Sequence, residues 1–452
     1  MLQTLCHILL ALAMINLVII VHELGHYAAG KLFKIKINII AIGFGKVLYR
    51  SAKNRNTNWQ LALFPLGGYV SMLSSKDKSL DITQHPYCLD TQSAWKKIVV
   101  YLAGPAANII CAIAVYWTLL NVGINYVTPE IEKITQNSIA SQAMLPDNSL
   151  ITHINGQNIV SWKDVSFALT SSLGNANNIT IQTIKDNKTQ KHILNTTSWQ
   201  IDALDFDPIT SLGIEPYEPD TDAIIMLVKP NSPAAIAGLK VNDTITQLNS
   251  TKILSYKGLI TTLKPLGNKK ITVTVMRAGK QLTIPVTTGS KLNSNWHMSG
   301  YLGIQSNKAT WPTHKVKQIK YSPLLAITPA LKNTYQIFEF NFTILTKIIT
   351  NIIPLTSLSG PIGFIKTSMQ ALNSNFIIFF ETFAIFNILL AFVNILPMPG
   401  LDGGNILFIA YEKITKKEIH ILWQGLITKF SFIFLAIITI HATINDVLRI
   451  IE

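Results

Sequence analysis

The sequence predicts a multi-pass α-helical membrane protein of about four spans, with a β-rich insert between the second span and the third. Three observations lead there. Hydrophobic residues make up 48% of the 452 positions and charged residues only 14%, the balance of a membrane-embedded chain. Four apolar runs can each cover the roughly 20 residues that a hydrocarbon core requires. The stretch between the second and third runs is less apolar, alternates like short strands and repeats itself.

The first run, Leu5–Phe33, lacks a basic leader and a small-residue cleavage site, so it reads as a retained span. It contains His22-Glu23-Leu24-Gly25-His26. On a helix, positions i and i+4 share a face, so His22 and His26 can offer two imidazoles to one ion. Glu23 is close enough to touch a water on that ion. Zinc lowers the pKa of bound water to roughly 7, and a carboxylate can then take its proton. HExxH also arises by chance in long chains. Here it lies in an apolar run, where a charged residue costs roughly 2.5–3.5 kcal/mol, so intramembrane ionisable groups are functional candidates.

A catalytic zinc needs a third protein ligand and an open position. The second run, Ile98–Val122, contains Gly104, Pro105 and Asn108. The third, Phe376–Leu396, leads into Asn394-Ile395-Leu396-Pro397-Met398-Pro399-Gly400-Leu401-Asp402-Gly403-Gly404. Pro397 and Pro399 break the helix and the glycines permit a tight turn. Asp402 by itself reads as a cap on a helix-ending loop. Beside His22, Glu23 and His26 it reads as the third ligand of one Zn²⁺ per chain. The fourth run, Leu426–Val447, has Lys429 near its start and Asn445-Asp446 near its end, which suit membrane interfaces.

Basic residues set the orientation. The loop from Lys31 to Lys97 is rich in Lys and Arg, and the loop after Asp402 carries Lys413, Lys416 and Lys417. Such loops stay cytoplasmic, which puts the termini and the insert on the other side. The net charge of +14 then answers anionic lipid headgroups, and no nucleic-acid partner is expected. Cys6, Cys88 and Cys111 have no zinc-site spacing and none lies in the insert, so no disulfide framework is expected.

Within Ile124–Lys320, Asn137-Ser138-x-Ala140-x-x-Ala143-x-Leu145 matches Asn231-Ser232-x-Ala234-x-x-Ala237-x-Leu239. Ile151-Thr152-x-Ile154-Asn155 matches Ile245-Thr246-x-Leu248-Asn249, and Leu212-Gly213-Ile214 matches Leu302-Gly303-Ile304. The first copy has Ile139 and Met144 where the second has Pro233 and Gly238. After the insert, Phe338, Asn341, Phe342, Leu345 and Ile349 recur at helical spacing. They predict a helix lying on the membrane or packed against the spans.

With HExxH and Asn-x-x-Pro-x-Pro-x-x-Asp-Gly both present, the chain resembles the site-2 protease family of intramembrane zinc proteases. Gly43-Phe44-Gly45 and Phe64-Pro65-Leu66-Gly67-Gly68-Tyr69-Val70 look like that family's membrane-associated β-loop. Gly104-Pro105-x-x-Asn108 and Ser359-Gly360-Pro361-Ile362-Gly363 also match. The second repeat looks like a PDZ domain of bacterial protease type, and the first like a degenerate copy. The resemblance covers nearly the whole chain; departures are Asn405, where relatives often carry His, and Gly400.

The resemblance implies five regions. They are the first two spans with HExxH and the β-loop (1–123), two inserted PDZ-like β-rich α+β domains (124–217 and 218–308), a membrane-surface helix and linker (309–370) and the last two spans (371–452). It implies an inner-membrane protein with a periplasmic PDZ region and an active site in the membrane toward the cytoplasm. Glu23 is the expected base, and His22, His26 and Asp402 the metal ligands. Gly43, Phe44, Gly45, Gly67, Gly68 and Asn394 are expected to hold an unwound substrate, with helix packing the other reading of Asn394. Gly104, Pro105, Asn108, Pro397 and Pro399 are expected as structural support. Substrates would be single-span proteins, such as an anti-sigma factor, already trimmed by a site-1-type protease; leftover signal peptides are a second group. The PDZ-like modules either bind an extended peptide or only block access by size. The rival functions are a catalytically silent PDZ adaptor, against which the intact His22, Glu23, His26 and Asp402 argue, and a metal transporter, against which the PDZ-like repeat and Glu23 within HExxH argue.

Overall fold

The computed structural model describes residues 2–51, 57–76, 80–174, 177–201, 206–292, 298–307, 310–417 and 419–451. Lys53, Arg55 and the side chain of Phe44 lie outside the described residues. The chain forms two compact units, Met1–Ile124 with Gln318–Ile444, and Asn125–Lys317 with Asn445–Glu452.

The first unit is built on α1 (Leu2–Leu32), a strand pair β1 (Ile37–Arg50) and β2 (Asn58–Met72), and α2 (Ala94–Val122). After the insert come α3 (Ile327–Ile349), α4 (Pro361–Ser374), α5 (Phe376–Ile395), α6 (Asp402–Thr415) and α7 (Ile421–Ile451). Among the described residues, four helical stretches are long and apolar enough to cross a membrane: His7–Leu32, Ala94–Val122, Phe376–Ile395 and Leu422–Leu448. They coincide with the four expected runs to within a few residues.

The helix contacts follow from small residues and apolar faces. A Cβ on Gly25 of α1 would overlap the Ala103 carbonyl of α2 and stand 2.8 Å from Ala107 Cβ. Such a close backbone approach is what small residues permit between membrane helices. Met14 and Val18 of α1 bury themselves with Phe383 of α5, and Cys111 and Val115 of α2 pack against them. The expected helix after the insert is α3, whose Phe338 ring meets Phe392 of α5 edge-on at 5.4 Å. The stretch before the third span is itself helical. Pro361 pre-sets the first turn of α4, and Phe364 packs edge-on against Phe386.

β1 and β2 each bend, so the pair folds into four strand segments. Ile40 pairs with both Val70 and Trp59, Ala41 with Tyr69 and Gln60, and Arg50 with Gln60. Residues 37–42 therefore lie between 68–72 and 58–62, with 47–50 on the far side. The bends use Gly43, Gly45 and Gly67, with φ of 88°, 87° and 144°, conformations that glycine adopts at least cost. Among the described residues no further strand pairs with the outer edge of 68–72.

The second unit contains two related modules. In the first, strands run in the spatial order Lys188–Asn195, Asn178–Lys185, Ser149–Ile154, Glu130–Ile134, Ile214–Pro216, with a helix Trp162–Ser172. In the second, Thr251–Lys252, Thr244–Leu248, Lys270–Arg277 and Lys280–Thr287 form one sheet, Leu227–Val228 pairs with Ile304–Gln305, and the helix is Tyr256–Leu263.

The repeated residues do the same work in both modules. Ser138 and Ser232 cap short helices by accepting from the Ser141 and Ala235 N–H groups. Gly213 and Gly303, at φ 86° and 80°, lie so close to these serines that a Cβ would collide with them. Asn155 and Asn249 accept from the Thr180 and Thr272 N–H groups. Met144 keeps the left-handed backbone of its counterpart Gly238, with φ 55° against 81°. The first copy thus lost the glycine but not the turn.

Candidate metal centre

α1 presents His22 and His26 one turn apart on the face turned toward α2. Both are buried, at 6% and 8% exposure. Each ring is held from behind. His26 Nδ1 lies 2.8 Å from the Val100 carbonyl, which can only accept, so Nδ1 carries the proton and Nε2 a lone pair. His22 Nδ1 lies 2.8 Å from Asn108 Oδ1, with the same consequence. Pro105 of α2 carries no N–H, so the Tyr101 carbonyl four residues before it lacks its helical donor.

Asp402 arrives from the other end of the chain. α5 stops at Ile395, and the turn through Pro397 and Pro399 is closed by Met398 N–H donating to Leu396 O and Leu401 N–H to Met398 O, at 2.7 and 3.0 Å. Gly403 and Gly404 then lie so close to the Ile395 and Met398 carbonyls that any side chain would collide with them. Asp402 opens α6 and is thereby turned back toward α1.

Asp402 Oδ2 lies 3.2 Å from both Nε2 atoms, and these are 3.2 Å from each other. Three atoms that bear lone pairs face one another in a buried space, and among the described residues Asp402 Oδ2 has no hydrogen-bond partner. Such an arrangement is repulsive unless a cation lies among them. Among the described residues this is the one group of three that could hold a metal ion. Two imidazole nitrogens and a carboxylate oxygen suit zinc, and a tetrahedron with bonds of about 2.0 Å has edges of about 3.3 Å. The residues fit a zinc ion.

The space for it is kept by Gly104. A Cβ there would collide with His26 Nε2 and Cε1 and stand 2.8 Å from His22 Cε1. Glu23, next to His22, meets the edge segment of β2. A Cβ on Gly68 would stand 3.3 Å from Glu23 Cγ. Beyond the cluster lies a cavity of about 680 Å³ lined by Ser74, Ser75, Asp90, Tyr101, Asn405 and Glu412, among others. Tyr101 and Asn405 are each one turn from a residue of the cluster, Tyr101 from Gly104 and Asn405 from Asp402. Asp90 accepts from both hydroxyls and the Ser75 N–H. Burial alone would raise its pKa, but these hydrogen bonds hold it below the ordinary carboxylate value.

Of the residues expected to contact a substrate, Gly68 meets Glu23, while Gly43, Gly45 and Gly67 form the bends of the strand pair. Asn394 donates to the Leu390 carbonyl of its own helix at 3.0 Å. Asn108, expected as packing support, touches His22 directly. Gly400 takes φ 99°, and Asn405 lines the polar cavity. Sequence reasoning missed Asn387. It is fully buried and accepts from Asn108 Nδ2 at 2.8 Å. The available signal was an amide in an apolar run, two turns before Asn394 and so on the same face.

The chain is similar to known proteins along nearly its whole length. The family model described as Peptidase family M50 matches residues 10–438. The regulator of sigma E protease of Haemophilus influenzae is 30% identical over 437 residues, covering 96% of this chain and 97% of that protein. The regulator of sigma-E protease RseP of Escherichia coli K12 is 28% identical over the same shares of both chains.

Proposed function

Since the chain belongs to peptidase family M50, we propose that it is an intramembrane zinc endopeptidase that hydrolyses single-span membrane proteins. The observation that carries this reading is the buried triangle of His22, His26 and Asp402 with Glu23 beside it. His22 Nε2, His26 Nε2 and Asp402 Oδ2 would hold one zinc ion. Zinc bound there supplies Lewis acidity, polarising a carbonyl and making water acidic near neutral pH.

The remaining work falls to the chain. Asn108 and Val100 keep the imidazole lone pairs turned inward. Glu23 takes the proton of the attacking water and returns it to the leaving amine. The polar cavity lined by Tyr101 and Asn405, each one turn from Gly104 or Asp402, is where water would gather near the cluster. The membrane-associated β-loop, read as the strand pair, holds a substrate extended, because helical substrates shield their peptide bonds. Gly68 of the edge segment 68–72 lies beside Glu23, so a strand added to that segment would run near the base. Asn394 is the candidate to bond the unwound substrate.

The basic loops support a cytoplasmic side for this centre and an inner-membrane location with a periplasmic insert. The two repeat modules are PDZ-like, and we assign them the exclusion of bulky substrates, with peptide binding secondary. The relatives named for sigma-E regulation support an anti-sigma factor as substrate, trimmed first by another protease.

The test is a pair of variants. Glu23→Gln is expected to fold, retain zinc and cleave nothing, and Asp402→Ala to lose both zinc and cleavage. Full zinc with full cleavage in Asp402→Ala would remove the third ligand. Wild-type cleavage by Glu23→Gln would remove the base and leave the adaptor reading.

A further inference from the structure

We infer that Asn387 is a positioning residue that fixes the tautomer of His22 from two helices away, acting through Asn108. The inference rests on the zinc reading above and extends it to a residue in the middle of α5.

The direction of every hydrogen bond in the chain is forced. Asn387 Nδ2 faces the Phe383 carbonyl at 2.8 Å, which can only accept, so the other end of that amide is an oxygen. That oxygen faces Asn108 Nδ2 at 2.8 Å. Asn108 Nδ2 also donates to the Val18 carbonyl at 3.0 Å. Both amide hydrogens of Asn108 are thereby used, and its oxygen is left for His22 Nδ1 at 2.8 Å. His22 Nδ1 must then carry the proton and Nε2 the lone pair. Asn108 and Asn387 are fully buried, so water does not compete for these groups.

A reversed Asn108 amide would aim its hydrogens at His22 Nδ1. The ring proton would move to Nε2, pointing at His26 and Asp402, and a protonated nitrogen cannot bind a metal. His26 needs no such device, because the Val100 carbonyl has only one possible sense. His22 is backed by a side chain with two, and the Val18 carbonyl and the Asn387 oxygen, each taking one Asn108 amide hydrogen, together choose between them. The arrangement also joins the ligands: α5 carries Asn387 in its middle and leads into the turn that delivers Asp402. One helix thus orients His22 and leads into the turn that comes before its co-ligand.

The experiment measures zinc affinity by competition with a chromophoric chelator, using the full chain in detergent, alongside the unfolding temperature of the metal-free protein. Asn387→Leu is expected to weaken zinc binding about tenfold, the scale for residues that orient metal ligands, with metal-free unfolding near that of wild type. Asn387→Asp keeps the acceptor and should bind zinc close to wild type. Should Asn387→Leu not fold, Asn387→Ala removes the same acceptor without bulk and carries the comparison. Wild-type affinity in the folded Asn387→Leu variant overturns the inference, as does an equal loss in Asn387→Asp, which would mean packing. Retention of zinc by His22→Ala would instead overturn the zinc reading itself.

Discussion

Gly104 lies directly against His26: a Cβ on the glycine would collide with the Nε2 atom that His26 turns toward His22 and Asp402. The smallest residue in α2 therefore keeps open the space for a cation. In an ordinary helix, Gly→Ala is favourable by about 0.8–1.0 kcal/mol. Gly104→Ala is therefore expected to keep the helix and lose the metal. Zinc content of the purified protein should fall at least about tenfold, with circular dichroism unchanged. Wild-type zinc in a folded Gly104→Ala protein would mean that the cation lies elsewhere.

Removal of the insert separates gating from chemistry. All the proposed ligands and Glu23 lie outside residues 127–306, so deletion of that range should leave zinc binding intact. If the modules exclude by size, the deletion protein should cut a full-length substrate that wild type cuts only after trimming. A stable, zinc-loaded deletion protein that still rejects the full-length substrate would end the size-exclusion reading. Loss of cleavage of trimmed substrate through a groove mutation in the second module alone would favour peptide recognition.

Orientation follows from the basic loops and can be read by labelling. Single cysteines at Lys46, Lys188 and Lys416, all exposed positions, should divide into two groups. A thiol reagent that cannot cross the membrane, added outside intact spheroplasts, should label position 188 in the insert. It should miss positions 46 and 416 until the membrane is broken. The reverse pattern would put the metal centre toward the opposite side.

The second module of the insert should have an acid limit set by Asp243. Its carboxylate is fully buried and accepts from Arg277 Nε and Nη2 at 2.6 and 2.7 Å and from the Lys240 N–H at 2.8 Å. Burial alone would raise its pKa, but the Arg277 fork and the Lys240 N–H outweigh this and lower it. A depressed folded pKa gives stability that is present above the unfolded value of about 3.9 and is lost as pH falls through the lower folded value. Arg277→Leu removes the main lowering cause, so the module should open at a higher pH than wild type. Hydrogen exchange in 244–248 and 270–277 as pH is lowered measures this. An unchanged acid limit would show that the ion pair does not set it.

Much of the centre was legible because its signals are local. The spacing of His22 and His26 is one helical turn, so it fixes a shared face without reference to the rest of the chain. Pro397, Pro399 and the glycines after them announce a turn by their own backbone limits. The repeat was legible for the same reason. Ser138 and Ser232 cap their helices within three residues, and each glycine of the Leu-Gly-Ile pairs needs a positive φ. The strand pair was legible only in part. Its glycines were visible, but the double pairing of Ile40 with Val70 and Trp59 depends on which way each bend turns.

The sequence by itself determined four long apolar helices, the residue types of a metal centre and the two copies in the insert, because length, periodicity and turn chemistry are properties of short segments. The sequence also named Asp402 as the partner of His22 and His26; only the tertiary structure decided how close the three come, that Gly104 lies against them, that Glu23 lies beside Gly68, and that Asn387 reaches Asn108. The physical reason is that these pairs are set by where helices cross. A crossing is fixed by the joint fit of distant small and large side chains, such as Gly25 against Ala103, and no spacing along the chain records it.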